Sequence, residues 1–243
     1  MSFQITDAQM DALAQLLKDA GGPLLSIDTS TSDASVAMLG WPGQDLVSCV
    51  EFEAGSVPSQ ALAQNLYDAM ARSGISAQDI KGIAVGLGPG SFTGLRVGLA
   101  TAKGLALGVG MPLYGFSSLA LWAISAQAPQ VAVVMDARQK EIYSALYDCS
   151  AGRCQALIED GTRTPEDFGK TLPGNETLFV GDGRSVYGDD ESTWNDAVRP
   201  NAALGLLLVA DKIKEGLGDD LRLLNPEYHR ITEAERQARL RRQ

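Results

Sequence analysis

Residues 82–110 read GIAVGLGPGSFTGLRVGLATAKGLALGVG, and the fold is decided within them. Ile83-Ala84-Val85-Gly86-Leu87 is an apolar run short enough for a buried strand. Gly88-Pro89-Gly90-Ser91-Phe92-Thr93-Gly94 then interleaves glycine with proline, which demands a sharp turn. From Leu95 onward leucine and alanine dominate and no proline intervenes before Pro112, a length that selects helix over strand. Ser91 or Thr93 is placed to cap the first free N–H groups. The unit is strand, glycine loop, helix.

The helix is unusual inside. Gly98, Gly104 and Gly108 each weaken it by roughly 1 kcal/mol relative to alanine. Gly94 and Gly98 are four residues apart, as are Gly104 and Gly108, so each pair shares a face. Such faces suit close approach, either by another part of this chain or by a second protein. The loop at the helix N-terminus also has the form of an anion site. It is not a Walker A loop, because no Gly-Lys-Ser/Thr follows it. It misses the dinucleotide fingerprint too, since Thr93 stands where glycine or alanine is required.

The 243 residues are 45% hydrophobic, enough for a substantial core in one or two domains. No apolar run of 18 occurs, and the N-terminus carries Asp7 and Asp11 instead of a basic signal region, so the expectation is a cytoplasmic protein without a membrane span. Cys49, Cys149 and Cys154 are too few and too scattered for a disulfide framework or a zinc site. The single histidine, His229, rules out a His-Glu-x-x-His metal motif, and no Gly-x-Ser-x-Gly elbow supports a serine triad. A net charge of −10 argues against a nucleic-acid binder working alone.

Outward from the central stretch, the chain repeats itself. Thr6-Asp7 opens an amphipathic helix with Met10, Leu13 and Leu17 on one side, ended by Gly21-Gly22-Pro23. Leu24-Leu25-Ser26-Ile27 reads as a buried strand ending at Asp28. The turn Thr29-Ser30-Thr31-Ser32-Asp33 and the strands 35–39 and 46–53 complete an antiparallel meander, with a turn at Trp41-Pro42-Gly43. Pro58 to Arg72 reads as a helix with Leu62, Leu66 and Met70 in a stripe. A strand at 111–116 and a helix capped by Ser117 follow the central unit. Val131-Ala132-Val133-Val134-Met135 then ends at Asp136, and a polar turn precedes strands at 141–147 and 154–159. Strand, aspartate, polar turn, strand, strand thus occurs twice, which marks a duplicated α/β domain. A short helix at 164–171, a strand at 177–180 and an apolar helix at 201–215 close the second copy. Arg236, Arg239, Arg241 and Arg242 make the end locally basic, a solvated tail or a phosphate contact.

A duplicated domain with an aspartate hairpin in each half resembles the actin, Hsp70 and sugar-kinase superfamily. LLSIDTSTSDASVAML, GLGPGSFTGLRVGLATAKGLALG, VVMDARQKEIYSALY and PEYHR look like the TsaB family, over about residues 24–230. The resemblance implies duplicated actin-like (ribonuclease H-like) domains, each a mixed sheet with an antiparallel hairpin and flanking helices. The segments would be an extension helix at 1–23, domains at 24–116 and 117–232, and a charged tail at 233–243. It also implies a non-catalytic subunit that binds and activates TsaD, the enzyme forming threonylcarbamoyladenosine next to the tRNA anticodon. A TsaE ATPase joins that complex, and tRNA is reached through it. Two departures stand out: Pro58 precedes Ser59 where the family often has histidine, and His229 replaces the leucine of the Pro-x-Tyr-Leu-Arg motif.

Two functional readings are open. In the first the chain is a scaffold without cofactor, metal or catalytic residues. Its partner surface comprises Leu62, Leu66 and Met70 of one helix and Gly98, Thr101, Gly104, Leu105 and Gly108 of the other. Paired helices of this kind also allow a homodimer. In the second the chain is a nucleotide-dependent phosphoryl or carbamoyl transferase holding phosphate and Mg²⁺ between Asp28, Asp136 and the loop residues Gly90, Ser91, Thr93, Gly94 and Arg96. The first is favoured, which leaves those loop residues as a vestigial ligand site. Neither Thr29-Ser30-Thr31 nor Arg138-Gln139-Lys140 has the glycine that a phosphate turn needs. A peptidase finds no nucleophile–base pair in this residue inventory.

Overall fold

A computed structural model describes residues 5–40, 47–53, 58–150, 153–173, 177–188 and 194–229. The Trp41-Pro42-Gly43 turn and the arginine-rich tail lie outside the described residues. Helix α1 (Asp7–Ala20) starts at Thr6 in a full capping box with Gln9 and stops at Gly21, whose φ of 70° is the left-handed cap expected of glycine. The first sheet contains β1 (Leu24–Asp28), β2 (Asp33–Leu39), β3 (Val47–Glu53), β4 (Gly82–Gly86) and β5 (Leu113–Phe116) in the order β3-β2-β1-β4-β5. Strands β1, β2 and β3 are antiparallel neighbours, while β1, β4 and β5 run parallel. The parallel connections pass through α2 (Pro58–Ser73) and α3 (Phe92–Val109).

The second sheet repeats this plan with fewer strands. It contains β6 (Gln130–Asp136), β7 (Ile142–Asp148), β8 (Gln155–Arg163) and β9 (Leu178–Val180) in the order β8-β7-β6-β9. Again the strand ending in aspartate pairs antiparallel with the next strand and parallel with a later one. The Asp28 and Asp136 hairpins therefore occupy equivalent places, and the duplicated mixed α/β plan read from the sequence is present in the structure.

Each sheet is covered by helices. One face of the first sheet packs Leu25, Ile27, Ile83 and Val85 against Leu62, Leu66, Leu99 and Ala102 of α2 and α3. The other face packs Leu24, Leu39 and Tyr114 against Leu13, Leu16 and Leu17 of α1. It also meets α7 (Ala202–Leu208) and α8 (Ala210–Glu215) through Leu204, Leu206, Val209 and Ile213. Helices from the far end of the chain thus complete the first sheet. The single helix expected at 201–215 breaks at Val209, where φ −112° and ψ 14° leave the helical range. That break lets α7 lie on the sheet while α8 turns to meet α1. The halves are joined at α4 (Ser118–Ser125), whose cap Ser117 donates to Asp160, as does the Tyr147 hydroxyl.

Three further details differ from the sequence reading. α3 begins at Phe92, a turn earlier than Leu95, because Ser91 caps it. Cys149 and Cys154, read as too scattered for a disulfide framework, form one disulfide between β7 and β8 with Cα atoms 4.2 Å apart. Residues 184–187, within a stretch (184–200) whose polar sequence reads as irregular, form a short helix, α6, after α5 (Pro165–Thr171). Leu16→Ala is expected to destabilise the protein by about 2–5 kcal/mol in urea unfolding, because it empties a fully packed site under α1. A loss below about 0.5 kcal/mol would mean that the extension helix is an appendage.

Candidate partner interface and the sealed glycine loop

The glycine loop is filled by the chain itself. Thr29, Ser30 and Thr31 form a polar turn, yet all three are buried. The Ser91 N–H donates to the Ser30 carbonyl at 2.6 Å. A Cβ at Gly90 would stand 2.3 Å from that same carbonyl oxygen. A Cβ at Gly94 would lie 2.0 Å from the Thr29 carbonyl oxygen, and one at Gly98 would lie 2.2 Å from Thr29 Oγ1. The Thr29 hydroxyl donates to the Gly94 carbonyl at 2.8 Å. These glycines are required because the β1–β2 turn presses onto the first turns of α3. Thr29 and Ser30 therefore lie directly against the loop and the helix start.

Asp28 is sealed beneath. It accepts the Ser30 N–H at 3.1 Å, the Ser30 hydroxyl at 2.6 Å and the Ser118 hydroxyl at 2.7 Å. A Cβ at Gly86 would come within 1.9 Å of its Oδ2. Burial raises its pKa above the ordinary 3.8, and the three hydrogen bonds oppose that rise. Asp136 is tied up differently: it accepts the Arg138 N–H at 2.6 Å and pairs with the Arg138 guanidinium at 3.2 Å. Of the alternative metal–phosphate site between Asp28, Asp136 and the loop, Asp28 is fully buried and offers no accessible oxygen. Among the described residues, no cluster of three or more His, Cys, Asp or Glu is placed to hold a metal. Arg138, Gln139 and Lys140 are all left-handed, at φ 68°, 57° and 65°, beside an open cleft of about 690 Å³.

The expected interface residues divide sharply. Leu62 and Leu66 are buried in the core of this chain, so they supply no apolar area to a partner. Gly98 is buried against Thr29, so it faces inward as well. Met70, Thr101 and Leu105 are half-buried. Gly104 and Gly108 are exposed, with open space where a Cβ would stand. The inward pair, 94 and 98, thus serves the fold, and the outward pair, 104 and 108, leaves bare backbone at the surface. The same two helices expose two large apolar side chains outside the expected set: Tyr67 of α2 is 70% exposed and Leu107 of α3 is 69% exposed. Ala63, Gln64 and Tyr67 follow the exposed side of α2, and Phe92, Arg96, Ala100 and Gly104 that of α3, where a four-residue spacing is the available signal.

Two further residues reach this region from the far end of the chain. Glu227 N–H donates to the Leu87 carbonyl at 2.8 Å, which holds Tyr228 over the first turn of α3. Asp219 accepts the Gly115 N–H at 2.7 Å and pairs with Lys212 at 2.8 Å. The segment 217–229 is therefore strapped across the edge of the first sheet. Its last described residue, His229, accepts a hydrogen bond at its carbonyl from the Thr162 hydroxyl at 3.0 Å.

Comparison with known proteins agrees with this architecture. The family model described as TsaD, tRNA N6-adenosine threonylcarbamoyltransferase, matches residues 55–179. The tRNA threonylcarbamoyladenosine biosynthesis protein TsaB of Haemophilus influenzae is 30% identical over 194 residues, covering 74% of this chain and 81% of that protein. The protein of the same name from Escherichia coli is 40% identical over 129 residues, covering 51% and 54% respectively. A crystal structure of a Pseudomonas aeruginosa protein described as uncharacterized, with similarity to peptidase YEAZ, superposes with a TM-score of 0.74 at 26% identity. That match covers 86% of this chain and all of the other.

The sealed loop has two measurable consequences. Gly94→Ala is expected to destabilise by about 1–3 kcal/mol through its clash with the Thr29 backbone, despite alanine's helix preference. Gly104→Ala, in open space, is expected to stabilise by about 0.5–1 kcal/mol; equal effects in chemical denaturation would show that both pairs face the same environment. Between 3.8 and the raised folded pKa of Asp28, the folded chain retains a proton that the unfolded chain has released. Its contribution to stability is therefore greatest below 3.8 and declines as the pH rises through the raised folded value. Relative to Asp28→Asn, wild-type stability should fall over that rise, and a gap that stays constant with pH would contradict the sealed carboxylate.

Proposed function

The chain belongs to the TsaB family, and from that premise we propose that it is a non-catalytic subunit in the formation of N6-threonylcarbamoyladenosine on tRNA. It binds and activates a TsaD-like transferase. The observation that carries this reading is the exposed surface of α2 and α3: Tyr67 stands exposed on α2, and on α3 Leu107 stands exposed with bare helix at Gly104 and Gly108. Large exposed apolar groups around an indented helix suit a partner's helix packed closely against the backbone. The filled loop supports the same reading, because Thr29 and Ser30 pack against its glycines and the Ser91 N–H is already bonded to the Ser30 carbonyl. A TsaE-like ATPase and tRNA join through the complex in the cytoplasm. No helix among the described residues is long and apolar enough to cross a membrane.

Gly104→Leu and Tyr67→Asp test the proposal. Both sites are exposed, so the variants should fold, and leucine should strengthen the helix by up to about 1 kcal/mol. Each is expected to abolish co-purification with the TsaD-like subunit from the same genome. In cells that rely on this chain, threonylcarbamoyladenosine should vanish from tRNA, as read by mass spectrometry of nucleosides. Folded variants that still bind and still support the modification would place the interface elsewhere.

A further inference from the structure

The first turns of α3 carry an arginine that the fold has already positioned. Arg96 Nε donates to the Tyr228 hydroxyl at 2.7 Å. The guanidinium carbon lies 3.9 Å from the centroid of the Phe92 ring and 5.6 Å from that of Tyr228. The two rings are 5.1 Å apart. Phe92 is 41% exposed and Tyr228 42%, and Arg96 stands at the surface with them. A surface arginine ordinarily samples many rotamers, and fixing it opposes binding. Here the aromatic contacts and the backbone bond from Glu227 to Leu87 have fixed it beforehand.

What the arginine has left to offer is specific. Nε is taken, while the two Nη groups meet no hydrogen-bond or ion-pair partner among the described residues. A cation without a counter-ion among the described residues is unexpected on a chain of net charge −10. The free edge of a guanidinium is the geometry that grips a carboxylate through two parallel hydrogen bonds.

Resting on the scaffold reading, we infer that Phe92, Arg96 and Tyr228 form a clamp for an aspartate or glutamate side chain of the catalytic partner. The two rings shield the ion pair from water, and arginine and tyrosine are the residue types that dominate binding hot spots. Phe92, Arg96, Ala100 and Gly104 recur every four residues on the exposed side of α3, so the clamp is continuous with the surface bared at Gly104. An RNA phosphate is a poorer occupant. Nucleic-acid affinity is built from several cations, whereas the same strap presents Asp220 already paired with Arg222, and Glu227 beside His229.

Calorimetric titration of the full chain with the TsaD-like subunit from the same genome tests the clamp, with thermal unfolding of each variant as the control for folding. Arg96→Ala is expected to weaken binding at least about thirtyfold. Arg96→Lys, which keeps the charge and loses the fork, should weaken it at least about tenfold. Tyr228→Phe, which keeps the ring and frees the guanidinium, should weaken it about threefold. Melting temperatures should stay at the wild-type value. Wild-type binding with both Arg96 variants within about twofold of it would overturn the clamp and leave the scaffold reading standing. Failure of the wild-type chain to bind would overturn both. A labelled single-stranded RNA titrated into the isolated chain should not bind; binding that disappears in Arg96→Ala would assign the clamp to phosphate and overturn the carboxylate.

Discussion

Two oxygen atoms of Thr29 sit where the Cβ atoms of residues 94 and 98 would stand in a helix without glycine. The rest of the architecture depends on that contact. It fixes the axis of α3 against the β1–β2 turn and draws Ser91 onto the Ser30 carbonyl. It also closes the lid over Asp28, whose three donors then come wholly from inside the protein. Residues 94 and 98 meet this turn at the start of α3 only. Positions 104 and 108 lie about two to three turns farther along, beyond the reach of Thr29, where nothing of this chain packs on them and their missing side chains leave the helix accessible.

The same contact separates two uses of an old plan. An aspartate hairpin and a glycine loop opening a helix form an arrangement suited to phosphate. In this chain the loop's N–H at Ser91 is satisfied by backbone, and burial disfavours ionisation of Asp28. The groups are present, but they are turned into internal packing. The molecule's exposed chemistry has moved to the surface of α2 and α3, and to the strap that brings Tyr228 beside Arg96.

Much of the fold is legible in the residues. The duplicated strand–aspartate–strand pattern and the caps at Thr6, Ser91 and Ser117 are local signals, and local physics is what a sequence displays directly. The candidate site is only half legible. The spacing of Leu62, Leu66 and Met70 identifies one helical face, but a core and an interface give the same stripe, and only the sheet's position decides between them. The four glycines of α3 likewise form two pairs in the sequence, while the environment that distinguishes the pairs is Thr29, some 65 residues away. Tyr228 and Arg96 are separated by 132 positions, so no local pattern could join them. The placement of α7 and α8 on the first sheet, across the expected domain boundary, is hidden for the same reason.

The central claim is that α3 is divided along its length into an inward segment that seals the loop and an outward face that receives a partner. Amide hydrogen exchange, measured by mass spectrometry with and without the TsaD-like subunit, reads both parts at once. The account predicts that the turn 28–31 is strongly protected in the isolated chain and unchanged by the partner. Peptides spanning α2 and residues 100–109 should gain protection when the partner is added. Weak protection of 28–31 alone, with partner-dependent protection confined to the second sheet, would contradict it.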